Sequence, residues 1–306
     1  MSFRALRGTR SLGASGGSQS KTMNSSSANN PMPGTQSSIL LDDSKQRARD
    51  QWTANPCGAN VARDLPYGTR EYFDAIEDYR YGIASPWMKQ AIGFDRYAGK
   101  HLLEVGFGTG TDLLQFARGG AIVTGVDLTP RSIEIARRRF EVYGLAGEFM
   151  IGDGEDLSFT GASFDVVYSF GVLHHTPDTN RAVSEIHRVL KPGGKAIVML
   201  YHRASLCYYG SILFKHGVLR GELLRETPAG IMSRHVEYSD VESRPLVKAY
   251  TRSEARAMFH QFQECDVQVN QLTRRELRSI GPLLPDALFQ WLAHNLGWNL
   301  LITATK

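Results

Sequence analysis

A glycine-rich turn constrains the fold of this chain more than any other feature of its sequence. Glu104–Gly110 follows a short apolar run, and glycines occupy positions 106, 108 and 110. Glycine permits sharp turns and lets the backbone approach a ligand closely. We therefore expect the turn to join a strand, His101–Val105, to a helix, Thr111–Arg118, with a ligand at the carboxyl end of the strand.

This turn departs from the dinucleotide-binding fingerprint. Its spacing is GxGxG, whereas nicotinamide enzymes carry GxGxxG. Glu104 stands directly before the first glycine, where its carboxylate would repel a pyrophosphate. A ligand with a cationic end, such as an amino acid, suits that carboxylate better.

Strand and helix patterns alternate through the middle of the chain. Such alternation predicts an α/β fold with a doubly wound, mostly parallel sheet. Two later apolar runs, Cys265–Leu272 and Trp298–Thr305, also have the pattern of strands. The other predicted strands are Ala121–Val126, Glu148–Ile151, Phe164–Ser169 and Lys195–Tyr201, and the helices between them run from Thr129-Pro130 to Tyr143 and over Thr179–Leu190.

Asp127 closes the second predicted strand, 21 residues after Gly106. At that distance a carboxylate can accept hydrogen bonds from both hydroxyls of a ribose. The alternative is that Asp127 caps the helix that begins at Pro130. Thr129 is better placed for capping, so we predict a ligand-binding role for Asp127.

Five motifs in order resemble the class I S-adenosylmethionine-dependent methyltransferases, in the broad branch related to ubiquinone and menaquinone biosynthesis enzymes that act on small molecules. The resemblance runs from about Lys100 to Tyr201. It implies a seven-stranded sheet that is closed by an antiparallel strand. The two runs Cys265–Leu272 and Trp298–Thr305 are in position to form that closing pair. The motifs are Leu103–Gly110, Val126-Asp127, Gly152–Leu157, Phe164–Ser169 with Val172–His175, and Arg188–Gly194.

The resemblance implies S-adenosylmethionine as cofactor and assigns a role to each matching position. Glu104 and the backbone of Gly106, Gly108 and Gly110 would hold the methionine end, and Phe170 would approach it. Asp127 would hold the ribose and Leu128 would pack on the adenine. Asp153 would accept from the adenine amino group, and the Gly154 backbone would pair with the ring. Phe107 stands where many members have a small residue or Cys, which predicts either a tolerated change in the wall of the site or crowding within it.

The methyl group of this cofactor is already activated, so the protein must align an acceptor, exclude water and, where needed, remove a proton. The candidate bases are His174 and His175 after the fourth strand and His202 after the fifth; the alternative for the first two is a structural role with backbone hydrogen bonds. Candidate acceptor-pocket residues are Trp52, Tyr79 and Tyr201, although Tyr79 could instead face the core. No His, Cys or carboxylate cluster has metal-ligand spacing in the sequence, so we predict no metal.

The chain divides into four predicted regions. Residues 1–38 are rich in Ser, Gly, Asn and Thr, which predicts a disordered tail. Residues 39–98 form a helical lid, residues 99–201 the cofactor-binding core, and residues 202–306 the substrate-side helices with the closing strands. Aromatic residues are frequent in the lid and in the substrate-side region, which favours a hydrophobic or aromatic small-molecule acceptor.

Charge and composition argue against a nucleic-acid-binding protein and against an integral membrane protein. The net charge is +4, and four basic residues with no acidic ones precede Asp42, so the remainder is balanced and a nucleic-acid partner is not expected. No apolar run reaches the roughly 20 residues that span a bilayer. We expect a cytoplasmic protein, or one of an organellar matrix if the basic, acid-free tail is a transit peptide. The oligomeric state is left open.

The sequence therefore predicts methyl transfer from S-adenosylmethionine to oxygen or carbon of a small molecule. The alternatives are a nicotinamide-dependent oxidoreductase, a methyltransferase acting on RNA or protein, and an S-adenosylmethionine-binding assembly or regulatory protein without catalysis.

Overall fold

The computed structural model describes residues 42–237 and 244–306, so the predicted tail, residues 1–38, lies outside the described part. A seven-stranded sheet has the order β3-β2-β1-β4-β5-β7-β6. The first five strands are parallel, and β7 is antiparallel to both of its neighbours. The strands are β1 (His101–Val105), β2 (Ile122–Asp127), β3 (Glu148–Ile151), β4 (Phe164–Phe170), β5 (Leu190–Tyr201), β6 (Glu264–Asn270) and β7 (Asn299–Thr305).

Helices cover both faces of this sheet, as the predicted doubly wound α/β fold requires. The α-helices are α1 (Asp43–Ala54), α2 (Arg70–Asp78), α3 (Met88–Ile92), α4 (Thr111–Arg118), α5 (Pro130–Tyr143), α6 (Thr179–Val189), α7 (Pro228–His235), α8 (Arg252–Met258) and α9 (Asp286–Leu296). Two π-helices cover Tyr79–Ala84 and Cys207–Leu219, and short 3-10 helices cover Ala59–Ala62, Phe94–Tyr97, Leu173–His175, Glu222–Leu224 and Arg278–Leu283.

The alternation of side chains along the buried strands builds two separate cores. Leu103 belongs to a cluster with Ile186 of α6 and Phe259, which follows α8. Its neighbour Leu102 belongs to a cluster on the other face with Leu113 of α4. Successive residues of a strand point to opposite faces, so one apolar run supports two helical layers.

Local sequence signals account for several helix ends. The Thr129 side chain accepts a hydrogen bond from the backbone N–H of Ser132, so Thr129 caps α5 as predicted. Thr251 and Glu254 form a reciprocal capping box at the start of α8. Ser85 does not cap α3; its hydroxyl lies 3.2 Å from Oε1 of Gln271 instead.

The predicted helical lid is not α-helical throughout. The α-helical spacing holds only to Asp78, after which the chain widens into the π-helix Tyr79–Ala84. Tyr72, Phe73 and Ile76 are buried, whereas Tyr79 is only half-buried. Among the described residues, no helix has both the length and the apolar character needed to cross a membrane.

Candidate functional site at the carboxyl edge of the sheet

The glycine turn adopts a backbone conformation that side chains would disturb. Gly106, Gly108 and Gly110 all have positive φ angles, of 76°, 53° and 70°. A Cβ added at Gly106 would lie 2.3 Å from Cγ2 of Val172, a distance that no real Cβ tolerates. The turn therefore brings its backbone against the end of β4, at the edge where ligands of open α/β sheets bind.

Asp127 holds this turn in place. Its Oδ2 accepts from the backbone N–H of Gly108 at 2.9 Å, and its Oδ1 accepts from the N–H and hydroxyl of Thr129 at the same distance. Burial raises the pKa of the Asp127 carboxyl, while these hydrogen bonds oppose the rise. The carboxylate thus organises the turn, and its role toward a ribose remains a prediction.

Glu104 is the buried carboxylate beneath the turn. Its side chain is 3% exposed, and Oε2 has no hydrogen-bond partner in the described part of the chain. Burial, with Asp112 as a nearby like charge, raises the pKa of Glu104 well above its usual value. A buried acceptor without a partner is costly, so this oxygen suits a ligand that brings its own donors, such as an ammonium group.

A polar network beside Glu104 was not predicted from the sequence. Asp112, in the first turn of α4, accepts hydrogen bonds from Arg80, Tyr81 and Tyr168. The Arg80 guanidinium lies 5.0 Å from the centre of the Phe170 ring. This network attaches the lid to the sheet and places a cation next to the half-buried Phe170, which was predicted to approach the methionine end of the cofactor.

Asp153 follows β3, and a cation from the lid already occupies one of its oxygens. Lys45 of α1 donates to Oδ2 of Asp153 at 2.6 Å and also lies 2.6 Å from Oε2 of Glu155. If Asp153 binds the adenine amino group, its carboxylate must therefore contact both that group and Lys45. The next residue, Gly154, has a backbone close to Val105: a Cβ there would lie 3.1 Å from Cγ1 of that side chain.

The Phe107 side chain lies in the core. It is 4% exposed and packs with Phe149, whose ring centre lies 5.8 Å away, and with Leu113. A Cβ at Gly125 would come within 2.5 Å of the Phe107 ring, so a small residue in β2 makes room for it. The Phe107 ring is therefore accommodated in the core, and its effect on the ligand site stays a prediction. Leu128, predicted to pack on the adenine, is half-buried directly after Asp127.

His175 and His174 lie together in the 3-10 turn after β4, in different environments. Nδ1 of His175 is 2.7 Å from the carbonyl oxygen of Leu246. A carbonyl only accepts, so Nδ1 carries the hydrogen and Nε2 keeps its lone pair. Burial lowers the pKa of His175, which keeps this ring neutral at pH 7. Its Nε2 lies 3.7 Å from Oε1 of Glu237.

His174 is completely buried, and neither ring nitrogen has a hydrogen-bond partner among residues 42–237 and 244–306. Its ring centre lies 3.8 Å from that of Tyr201. Burial lowers the pKa of His174 well below the usual value, with His175 adding to the effect. The ring therefore packs as a neutral aromatic group.

Two of the three predicted acceptor-pocket residues, Trp52 and Tyr201, lie next to the histidine pair. The Tyr201 ring stacks on Trp298 at 4.6 Å, and the Trp52 ring meets His175 edge-on at 5.5 Å. The hydroxyl of Tyr201 donates to Oε1 of Glu237 at 2.6 Å. Tyr79 lies in the π-helical end of the lid, and its place in the pocket stays a prediction.

His202 does not join this group. Its Nδ1 lies 3.0 Å from the carbonyl oxygen of Gly297, and its ring is buried before β7. Tyr201 and His202 are neighbours at the end of an extended strand, so they point to opposite faces. The His202 ring is thus held against the backbone of Gly297, whereas Nε2 of His175 keeps its lone pair, and the assignment of a base stays a prediction.

Folding also brings together residues that sequence spacing separates. Glu237 reaches His174 and His175, and a second group of His216, Glu222 and His235 forms beyond β5. In each group the nitrogen and oxygen atoms that could bind a metal ion all lie within 4.8 Å of one another. Local spacing alone could not have found either group.

A family described as "Methyltransferase domain" matches residues 103–198, from β1 through most of β5. That segment carries the glycine turn, Asp127 and the histidine pair. Residues 103–198 are a class I methyltransferase domain. Members of this class use S-adenosylmethionine as methyl donor, and the partnerless Glu104 oxygen together with the glycine turn fits the amino-acid end of that cofactor.

Relatives of the methyltransferase domain come from several organisms. The phthiotriol/phenolphthiotriol dimycocerosates methyltransferase of Mycobacterium leprae is 33% identical over 179 residues, which are 58% of this chain and 64% of that protein. A ubiquinone biosynthesis O-methyltransferase of Coxiella burnetii is 34% identical over 115 residues, 38% of this chain and 49% of that protein. The chain thus spans less than two thirds of the length of these relatives.

Similarity in structure extends beyond the methyltransferase domain. The crystal structure of an S-adenosylmethionine-dependent methyltransferase from Methanosarcina mazei matches with a TM-score of 0.50 and 23% identity, covering 71% of this chain and 96% of that one. At this level of identity the match concerns the fold. Together with the strand order, it confirms the Rossmann-like methyltransferase architecture predicted from the sequence.

Proposed function

We propose that this protein transfers a methyl group from S-adenosylmethionine to oxygen or carbon of a hydrophobic small molecule. The single observation that carries the proposal is the buried Glu104, with one carboxylate oxygen lacking a partner directly beneath the glycine turn. A carboxylate in that position matches the ammonium of the methionine end. When bound, the cofactor supplies a methyl group on a positively charged sulfur.

The chain's own residues then bind, orient and exclude water. Glu104 and the turn backbone hold the amino-acid end, and the Asp127 carboxylate, fixed by Gly108 and Thr129, faces the ribose. Asp153 would share its carboxylate between Lys45 and the adenine. The lid, residues 42–98 of the described chain, covers the edge and removes water, which strengthens each of these polar contacts.

His175 is the proposed base. Its Nδ1 is held by Leu246, so Nε2 can accept a proton from an acceptor hydroxyl or an acidic C–H. Glu237, 3.7 Å away, would then stabilise the imidazolium. His174 and His202 have structural roles in this proposal, because His174 has no partner for a proton and His202 lies against Gly297.

Aromatic side chains support a hydrophobic acceptor. Trp52 and Tyr201 contact the His175 ring edge-on, and Trp298 stacks on the other ring of this group, Tyr201. The two curated relatives are named for a dimycocerosate and for ubiquinone biosynthesis, and acceptors with extended apolar parts fit such walls.

Calorimetry with the full chain tests the cofactor. We expect S-adenosylhomocysteine and S-adenosylmethionine to bind and NAD to fail. Labelled methyl transfer to a panel of hydrophobic phenols and quinols then tests the activity. Binding of NAD alone would overturn the proposal. Cofactor binding with no transfer to any acceptor class would instead favour a regulatory protein.

A further inference from the structure

An apolar surface covers the outer side of the substrate-side region. Several apolar side chains of the π-helix Cys207–Leu219 and of the turn after it are strongly exposed. A π-helix repeats roughly every four to five residues, so Phe214, Val218 and Leu219 lie on one side of it. We call this set the apolar ridge: Phe214 (57% exposed), Val218 (61%), Leu219 (67%) and Leu224 (90%).

Basic residues accompany the ridge. Lys215, Arg220 and Arg225 are exposed and alternate with its apolar members along the chain. The one acidic residue between 207 and 225 is Glu222, which is half-buried and lies 2.7 Å from Nε2 of His235. The ridge is therefore apolar and cationic, with no exposed negative charge in its own segment.

The ridge lies above the proposed acceptor site. β5 ends at Tyr201, and the π-helix begins six residues later at the same edge of the sheet. On the inner side of this helix, the buried Ile212 packs in a cluster with Tyr201 and Trp298. One helix thus has an outer apolar face and an inner face that contacts the walls of the pocket.

A second exposed apolar segment lies at the same edge. Residue Asn299 of β7 pairs with Tyr201, and α9 leads into that strand. In and just before α9, Leu283 is 80% exposed and Trp291 is 58% exposed. Tryptophan is typical of the boundary between lipid and water.

We propose that the apolar ridge docks on an anionic phospholipid surface, so that the acceptor site opens toward molecules dissolved in the membrane. Aliphatic and aromatic side chains that insert at the boundary of the headgroups, flanked by Lys and Arg that meet lipid phosphates, are the chemistry of an interfacial helix. A protein partner fits less well at Lys215, because Lys is depleted at protein interfaces, whereas both Lys and Arg bind anionic headgroups.

Flotation of the full chain with vesicles tests the docking. We expect binding to vesicles of phosphatidylcholine with phosphatidylglycerol, weak binding to phosphatidylcholine alone, and loss of binding at high salt. Replacing Lys215, Arg220 and Arg225 together by Gln should weaken binding about a hundredfold. The double variant Phe214→Ser with Leu219→Ser should also release the protein.

Ile122→Ser is the matched control. Ile122 is 53% exposed, yet it begins β2 and so lies at the opposite edge of the sheet. Its substitution should leave vesicle binding unchanged. Binding of S-adenosylhomocysteine by every variant confirms an intact fold, and lipid docking is measured without methyl transfer, so either proposal can fail alone.

Three results would overturn the docking proposal. The first is an absence of binding to anionic vesicles. The second is equal loss in the Ile122 control and the ridge variants. The third is a ridge variant that converts a dimer to a monomer without lipid, since a second copy of the chain would then cover this surface.

Discussion

The Tyr201 hydroxyl donates a 2.6 Å hydrogen bond to Oε1 of Glu237. Tyr201 ends β5, whereas Glu237 follows α7, so this bond joins the sheet to the substrate-side region. The same oxygen lies 3.7 Å from Nε2 of His175. A single carboxylate therefore orients a phenol and faces the proposed base.

Replacing Glu237 by Gln tests the support that this carboxylate gives to the base. The amide keeps the size of the side chain but cannot stabilise an imidazolium. We expect kcat to fall about 10- to 100-fold, the usual range for losing one charge-assisted contact, with KM for the cofactor unchanged. Glu264→Gln, at an exposed position of β6, is the control. Equal kcat in the two variants would contradict the role of Glu237.

The pH profile tests His175 itself. Burial lowers its pKa from the usual 6.5, so the lone pair on Nε2 remains available as the pH falls to that value. We expect kcat/KM to stay level from pH 8 to about 6.5 and to decline only in more acidic solution. His175→Gln should lower kcat by about 100-fold or more and remove the acidic decline. An unchanged profile in that variant would assign the base elsewhere.

His174→Phe separates the two histidines. Neither ring nitrogen of His174 has a partner in the described structure, so the apolar ring removes buried polar atoms. We expect the free energy of unfolding to rise by about 1–3 kcal/mol, with kcat largely retained. Chemical denaturation measures the first quantity, and a large loss of kcat would instead indicate a catalytic role.

The effect of His174→Phe on the free energy of unfolding should depend on pH. The pKa of His174 is lowered in the folded state, so the unfolded chain binds a proton that the folded chain excludes. Its contribution to stability is therefore lost as the pH falls below the unfolded value of about 6.5. The stabilising effect of His174→Phe should grow between pH 7 and pH 5.5. A constant difference would mean that the pKa of His174 is the same in the folded and the unfolded chain.

Glu104→Gln separates binding from stability. The buried carboxylate is costly without a cation, so we expect the unliganded protein to unfold at a higher temperature. Affinity for S-adenosylhomocysteine should fall about 10- to 100-fold, because a charge-assisted hydrogen bond becomes a neutral one. Thermal unfolding with and without ligand measures both effects. Unchanged affinity would mean that the ammonium binds elsewhere.

Local patterns predicted the parts of this protein that depend on nearby residues. The strand at His101–Val105 appeared with its predicted limits, and Thr129 caps α5, because periodicity and capping are properties of a few consecutive residues. Asp127 was placed from its spacing to Gly106. The alternation of side chains along a strand also predicts that Tyr201 and His202, as neighbours at the end of β5, point to opposite faces of the sheet.

Contacts between residues that are far apart in the sequence could not be predicted from such local patterns. Glu237 meets Tyr201 across 36 residues, and Lys45 meets Asp153 across 108. The two π-helices also have no distinct signature, since their apolar residues read as an ordinary helix. α7 and α9 were not predicted, and each of them follows an irregular stretch of the chain.

The hydrogen bonds from Arg80 to Asp112 limit how short a fragment of this chain could be and still fold. Asp112 belongs to the segment 103–198 that matches the family, but its cation, Arg80, comes from the lid. The outer strand pair depends on β7, which lies between β5 and β6. A fragment cut at the limits of the family match would leave a buried carboxylate without its guanidinium and one side of β5 unpaired. Expression of such a fragment should give insoluble chains, whereas a fragment that begins at residue 42 and ends at residue 306 retains both.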